Sequence, residues 1–273
     1  MFGLGKKKNW VRFYSLDENV ASLYPIEKAG KAERDYNSVG TRFVRPESGK
    51  QMSKNCPGIK PLVNSGYILR APADFIIKTG EDVEHLAWEV PFFFKKPMSG
   101  NYAIPGDEYY INWHAPWQTE PLIPSQNDNR DKKYLTSAVK VETPWRVKAS
   151  DDILLLQMPV TYNNEWRFTA AYGIIDPAYM HAIPVQLFWH VLEGEELVKA
   201  GTPLAQYLPI SRSLLKDHDF IVDAAGDVEL KVEDAFIYSN HHKFPKTDNV
   251  TNKVKRIKDI FDWFRKKYPK SKI

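Results

Sequence analysis

The sequence predicts a mainly β protein, a sandwich or barrel followed by one basic amphipathic helix at the C-terminus. Three observations carry this prediction. Short runs of Val, Ile, Phe, Tyr and Trp recur along the chain, separated by turn residues at close spacing. In 273 residues, 8 Trp, 14 Tyr and 14 Phe occur beside 19 Pro, a mixture suited to short strands and rigid turns rather than a helical bundle. A clear helical period emerges only near the end, where Val250, Val254, Ile257, Phe261, Phe264 and Tyr268 recur at spacings of three and four.

The elements follow in order. Residues 9–16 alternate well enough to form a strand. Residues 28–56 are charged and polar and read as a long connection or a short helix plus loop. Cys56-Pro57-Gly58 is a turn. Residues 66–78 read as two strands broken at Pro72, because proline cannot donate to a central ladder. Thr79-Gly80-Glu81-Asp82 has hairpin-turn chemistry and leads into a strand within 83–94. Residues 96–131, rich in Pro, Gly, Asn and aromatics, predict a long structured loop around Trp113, His114 and Trp117.

Lys140 to Val147 is extended around Pro144. Asp151-Asp152 turns the chain into Ile153–Met158, a continuous apolar run fit for a sandwich core. Asn163-Asn164 marks the next turn, and 168–175 is again extended. Residues 173–210 then read as strand, turn, strand, turn, strand, with Asp176 and Tyr179 held in the first turn. Residues 219–238 fit a strand or a helix equally. The C-terminal helix starts at an Asp248 or Asn249 cap and stops at Pro269. The chain thus divides into an N-terminal strand and connecting segment (1–60), a β-sandwich core (61–240) with its long loop near 96–131, and the helix (249–269).

Charge is distributed unevenly. The net +4 consists of +8 over residues 243–273, with 11 Lys or Arg against 3 Asp, and −4 over the rest. The helix's basic face carries Lys253, Lys255, Arg256, Lys258, Arg265 and Lys266. That face suits a solvated surface, a partner protein, or weak non-specific contact with nucleic acid. The single cysteine, Cys56, excludes an internal disulfide and a cysteine zinc cage. The apolar stretch before Lys6–Lys8 is too short for a signal peptide, and no window holds 18 consecutive apolar residues. A soluble, cytoplasmic product without membrane contact is the expectation.

Gly173-Ile174-Ile175-Asp176-Pro177-Ala178-Tyr179 resembles a signature of the dUTPase and dCTP deaminase superfamily. Val198 to Gln206 is similar to that superfamily's hydrophobic-x-x-Gly-x-x-hydrophobic-Ala-Gln segment, and Ser65 to Ala71 to its Ala-Gly-Tyr-Asp-Leu opening. The resemblance covers about 62–80 and 140–210 and implies a dUTPase-like or jelly-roll β fold, usually assembled as a trimer. It implies Asp176, Tyr179, Gln186 and Gln206 as ligand-binding candidates, with Asp176 as the catalytic base or water-positioner if the protein is an enzyme.

The departures weigh against enzymatic activity. The phosphate-binding Arg-Ser-Ser of the dUTPases has no counterpart at Gln157-Met158-Pro159-Val160. A basic helix stands where their glycine-rich arm closes over the triphosphate. The deaminases' general acid/base glutamate is replaced by Gln186, and an amide cannot shuttle protons.

A second resemblance spans most of the chain. Cys56-Pro57-Gly58-Ile59, Gly66 to Arg70, Glu165-Trp166-Arg167-Phe168, Phe188 to Leu192 and Ala200 to Gln206 resemble an uncharacterised family of tailed phages infecting marine bacteria. It implies a viral product of the infected host's cytoplasm or the virion, with a phage or host protein as partner. The reading is a non-catalytic phage binding or assembly module that needs no cofactor. The alternative is a nucleotide-processing enzyme with Asp176 and Tyr179 in its pocket.

Other candidates have plainer readings. His114, His181 and His190 lack metal-ligand spacing, and no metal site is assigned. His190 reads as a hydrogen-bonding residue at a strand end. Trp113, Trp117, Trp145 and Trp166 can stack sugars or bases, but read first as core aromatics.

Overall fold

The computed structural model describes residues 9–33, 58–80, 86–90, 111–119, 122, 135–216, 222, 224 and 226–233. The chain divides into two compact units, Met1–His218 and Asp219–Ile273. In the second unit the described residues include a helix over 227–233, which resolves the ambiguity of 219–238 there. The helix expected at 249–269 and its six cationic positions lie outside the described residues.

The first unit is mainly β, as its sequence predicts, and its named strand pairs are all antiparallel. The strands are β1 (Val11–Ser15), β2 (Glu27–Lys28), β3 (Tyr67–Arg70), β4 (Phe75–Thr79), β5 (Leu86–Glu89), β6 (Ile111–His114) and β7 (Ala138–Val141). They continue with β8 (Trp145–Ala149), β9 (Ile153–Met158), β10 (Phe168–Ala170), β11 (Gly173–Ile175), β12 (Val185–Trp189), β13 (Gly194–Val198) and β14 (Pro203–Ser211). They form a five-stranded sheet in the order β11-β9-β14-β3-β2 and a four-stranded sheet in the order β10-β12-β7-β6. A three-stranded sheet, β13-β4-β5, and a ribbon, β1-β8, complete the set. Among the described residues no sheet closes into a barrel.

All four sheets send side chains into one core. Leu155, Ile175 and Tyr207 come from the five-stranded sheet, and Val139, Val185 and Leu187 from the four-stranded one. Phe75 and Ile77 come from the three-stranded sheet, and Trp145 and Val147 from the ribbon. The alternation of strand side chains explains the selection: Phe75 and Ile77 are buried while Ile76 and Lys78 between and beyond them are not. β9 is buried almost throughout because it runs between β11 and β14. Pro209 is tolerated in β14 because pairing with β3 ends at Tyr207, leaving β9 alone beside 208–211.

The structure departs from the sequence reading at three places. Within 96–131, residues 111–114 form β6, paired to β7, and Pro116–Thr119 form a helical turn. Residues 168–175 are two strands in different sheets, joined through Ala171 and Tyr172. Residues 173–210 hold four strands rather than three, since β13 pairs away into the three-stranded sheet.

A buried polar strut fixes the crossing from β10 to β11. The Tyr207 hydroxyl donates to Gln157 Oε1 at 2.8 Å, and Gln157 Nε2 donates to the Ala171 carbonyl at 2.8 Å. Burial pushes the Tyr207 phenol far above its ordinary pKa, so it remains a neutral donor.

Candidate functional site

The Asp176 turn ends β11, an edge strand of the five-stranded sheet. Pro177 cannot continue the ladder, and the chain folds back on the Asp176 carbonyl, which accepts from the Tyr179 N–H at 3.0 Å and the Met180 N–H at 2.9 Å. Asp176 Oδ1 accepts from the Ala178 N–H at 3.0 Å, the self-bonded turn that aspartate favours. Tyr179 is 89% exposed and projects from the turn.

The Asp176 carboxylate is also gripped from the far end of β14. Arg212 opens a short helix, Arg212–Lys216, and its guanidinium meets Asp176 in a two-point fork. Nη1 donates to Oδ2 and Nη2 to Oδ1, both at 2.6 Å. Arg212 Nε donates to the Asp151 carbonyl at 3.1 Å, and the Arg212 N–H to the Asp152 carbonyl at 2.7 Å. Asp152 in turn accepts from the Ser211 hydroxyl at 2.5 Å and the Ser213 N–H at 3.0 Å.

Three segments distant in sequence are thereby fastened at one corner: the Asp151-Asp152 turn, the Asp176 turn and the start of the Arg212–Lys216 helix. The bonds to Asp176 hold the Arg212 guanidinium above its ordinary pKa. The Ser211 hydroxyl bond holds the Asp152 carboxyl below its own. A fork of this geometry is the strong form of a carboxylate contact.

The four ligand candidates do not share one sheet. Gln186 lies on β12 of the four-stranded sheet, opposite Lys140 of β7, which stands opposite Asn112 of β6. Asp176 and Tyr179 follow β11 in the five-stranded sheet. Gln206 is fully buried, and its amide is committed within the fold. Its Oε1 accepts from the Thr161 N–H and hydroxyl at 3.1 and 2.9 Å, while Nε2 donates to the Ser65 and Leu62 carbonyls at 2.8 and 3.3 Å. The place of Gln206 in the fold is structural.

Of the four tryptophans, Trp145 enters the core, but Trp113, Trp117 and Trp166 are exposed (36%, 78% and 64%), contrary to the core reading. His190 Nε2 meets the Thr169 hydroxyl at 2.6 Å at the end of β12, in keeping with its hydrogen-bonding role. Among the described residues no cluster of His, Cys, Asp or Glu is arranged to hold a metal. No described helix is long and apolar enough to cross a membrane.

Sequence reasoning missed Arg212. Its contact with Asp176 spans 36 residues, and neither flank carries a motif. Arg212 follows β14 beside the start of β9, where Ser211 pairs with Ile153, and not beside its 157–160 end. Compared with known proteins, the sequence matches no family model and no curated relative.

Proposed function

We propose that the protein is a non-catalytic phage binding or assembly module on a dUTPase-like or jelly-roll β fold. It serves in the infected host's cytoplasm or in the virion and engages a phage or host protein. The observation that carries this reading is the two-point Arg212–Asp176 fork. A carboxylate held by a guanidinium and a turn N–H is a poor proton acceptor, because protonation forfeits those bonds. Gln186 offers no proton-transfer group in compensation, and it stands on another sheet.

The surface around the turn supports a docking role. Tyr172, Ile174, Tyr179 and Met180 are all exposed. Apolar and aromatic side chains gathered at a sheet edge are a common feature of interaction surfaces. A trimer follows from the superfamily resemblance alone. The basic C-terminal residues, Lys253 to Lys266, are a second contact region for a partner or for nucleic acid.

The alternative, a nucleotide-processing enzyme, draws on the outward ring of Tyr179 beside Asp176. Incubation with each deoxynucleoside triphosphate, followed by assays for released pyrophosphate and ammonia, separates the two readings. The module reading predicts rates equal to a protein-free control for every nucleotide. Turnover that disappears in Asp176→Ala overturns it in favour of the enzyme.

A further inference from the structure

The β1–β8 ribbon has one buried face and one face of a different chemistry. Val11 pairs with Ala149, Phe13 with Val147 and Ser15 with Trp145. Phe13, Val147 and Trp145 from this set pack in the core. The alternate residues therefore point outward. They are Trp10, Arg12 and Tyr14 on one strand and Arg146, Lys148 and Ser150 on the other. Arg12 stands opposite Lys148, and Tyr14 opposite Arg146. Trp10 and Ser150 are joined across the ribbon, with the Trp10 N–H donating to Ser150 Oγ at 2.7 Å.

This face presents two exposed cations, Arg12 and Lys148, and two aromatic rings on two paired strands, while Arg146 is half-buried with Nη1 donating to the Thr143 and Trp145 carbonyls at 3.1 and 2.9 Å. Trp10 is 46% exposed. The Arg12 and Lys148 charges both lie 5.9 Å from the centre of the Tyr14 ring, so the ring holds them side by side. Of the carboxylates flanking the two strands in sequence, Asp151 next to Ser150 is exposed, and Asp17 and Glu142 are engaged. Asp17 caps the helix Glu18–Leu23 through the Asn19 and Val20 N–H groups, and Glu142 pairs with Lys140 at 2.5 Å while also facing Arg146.

We infer that the outward face of the β1–β8 ribbon binds single-stranded nucleic acid. The cations suit backbone phosphates, and Trp10 offers a ring on which an unpaired base can stack. A duplex keeps its base faces covered. An anionic membrane does take aromatic rings at its interface, but it needs an apolar face to insert, whereas Trp10 is the one well-exposed ring on this face. The combination therefore favours a single strand over either. The inference is independent of the proposed function, because it uses neither the Asp176 turn nor the C-terminal residues.

The test is binding of the full chain to a fluorescent oligothymidylate, a duplex of equal length and phosphatidylserine vesicles over a range of salt. The variants are Trp10→Ala, Arg12→Ala with Lys148→Ala, and Lys253→Ala with Lys255→Ala as a control in the tail. Circular dichroism melting confirms that each variant is folded.

Trp10→Ala is expected to weaken oligothymidylate binding about tenfold while leaving the duplex nearly unaffected. The Arg12/Lys148 pair is expected to reduce the salt slope by about 1.4, two phosphates at roughly 0.7 each. Two results overturn the inference. One is ribbon variants that bind oligothymidylate like the unaltered protein while the tail control loses affinity. The other is a Trp10→Ala loss of equal size for duplex or vesicles.

Discussion

Gly66→Ala is expected to destabilise the first unit by about 4 kcal/mol, through left-handed backbone strain and a backbone clash together. Gly66 has φ +77°, a region that glycine enters freely and alanine does not. A Cβ there sits 2.1 Å from the Tyr207 carbonyl oxygen and 2.8 Å from Leu208 Cδ2. The carbonyl cannot retreat, because β14 is paired to β3 on one side and β9 on the other at Tyr207. The Gly66 carbonyl also accepts from the Ala29 N–H at 2.9 Å, so a shift of the backbone weakens a second contact. For a unit of this size the change lowers the melting temperature by roughly 8–16 °C. Gly173→Ala is the matched control: its Cβ meets nothing within 4 Å and its φ is not positive. Calorimetry or circular dichroism checks both, and a Gly66→Ala melt within about 2 °C of the unaltered protein, roughly a quarter or less of the expected fall, contradicts the packing described.

Gln206→Leu is expected to cost about 2 kcal/mol. The volume is nearly conserved, so the loss comes from polar groups rather than a cavity. The substitution removes four hydrogen bonds that join β14 to the Thr161 turn and to the Leu62–Ser65 segment. Ser65 and Leu62 are exposed and recover water, which limits the cost; the Thr161 N–H is half-buried and recovers less. The corresponding fall in melting temperature is roughly 4–8 °C. A ligand-binding Gln206 behaves differently, because its replacement leaves the melt unchanged and alters only affinity. Denaturant unfolding monitored by tryptophan fluorescence distinguishes these outcomes.

The fold class was legible because it rests on local signals. β9 was visible as an apolar run interrupted only by Gln157, and the break between β3 and β4 followed from Pro72. What escaped the sequence depends on partners far along the chain. Nothing local separates β10 from β11, because extended residues continue through 168–175; the sheets they join are set by β12 and β9. β6 lay hidden among loop-like residues because its pairing with β7 comes from a segment beginning at Ala138.

The site was legible in the same proportion. The Asp176 turn is local chemistry and forms where the Asp-Pro pair indicates. Gln206 stood out as part of a motif, but its burial depends on Thr161 and Ser65, which no spacing rule connects to it. The basic face of the ribbon was half visible: Trp10, Arg12 and Tyr14 alternate in the sequence, yet only the register brings Arg146 and Lys148 beside them.

The central claim is that Asp176 works as a structural latch with Arg212. Thermal melting of Asp176→Asn, Arg212→Gln and the double variant tests it most directly. A latch predicts that each single change lowers the melting temperature and that the double change lowers it by little more than either, because both remove the same fork. Residues kept for catalysis or ligand contact often do the opposite, since replacing them relieves a strained or desolvated group. An Asp176→Asn protein that melts at or above the temperature of the unaltered chain contradicts the account.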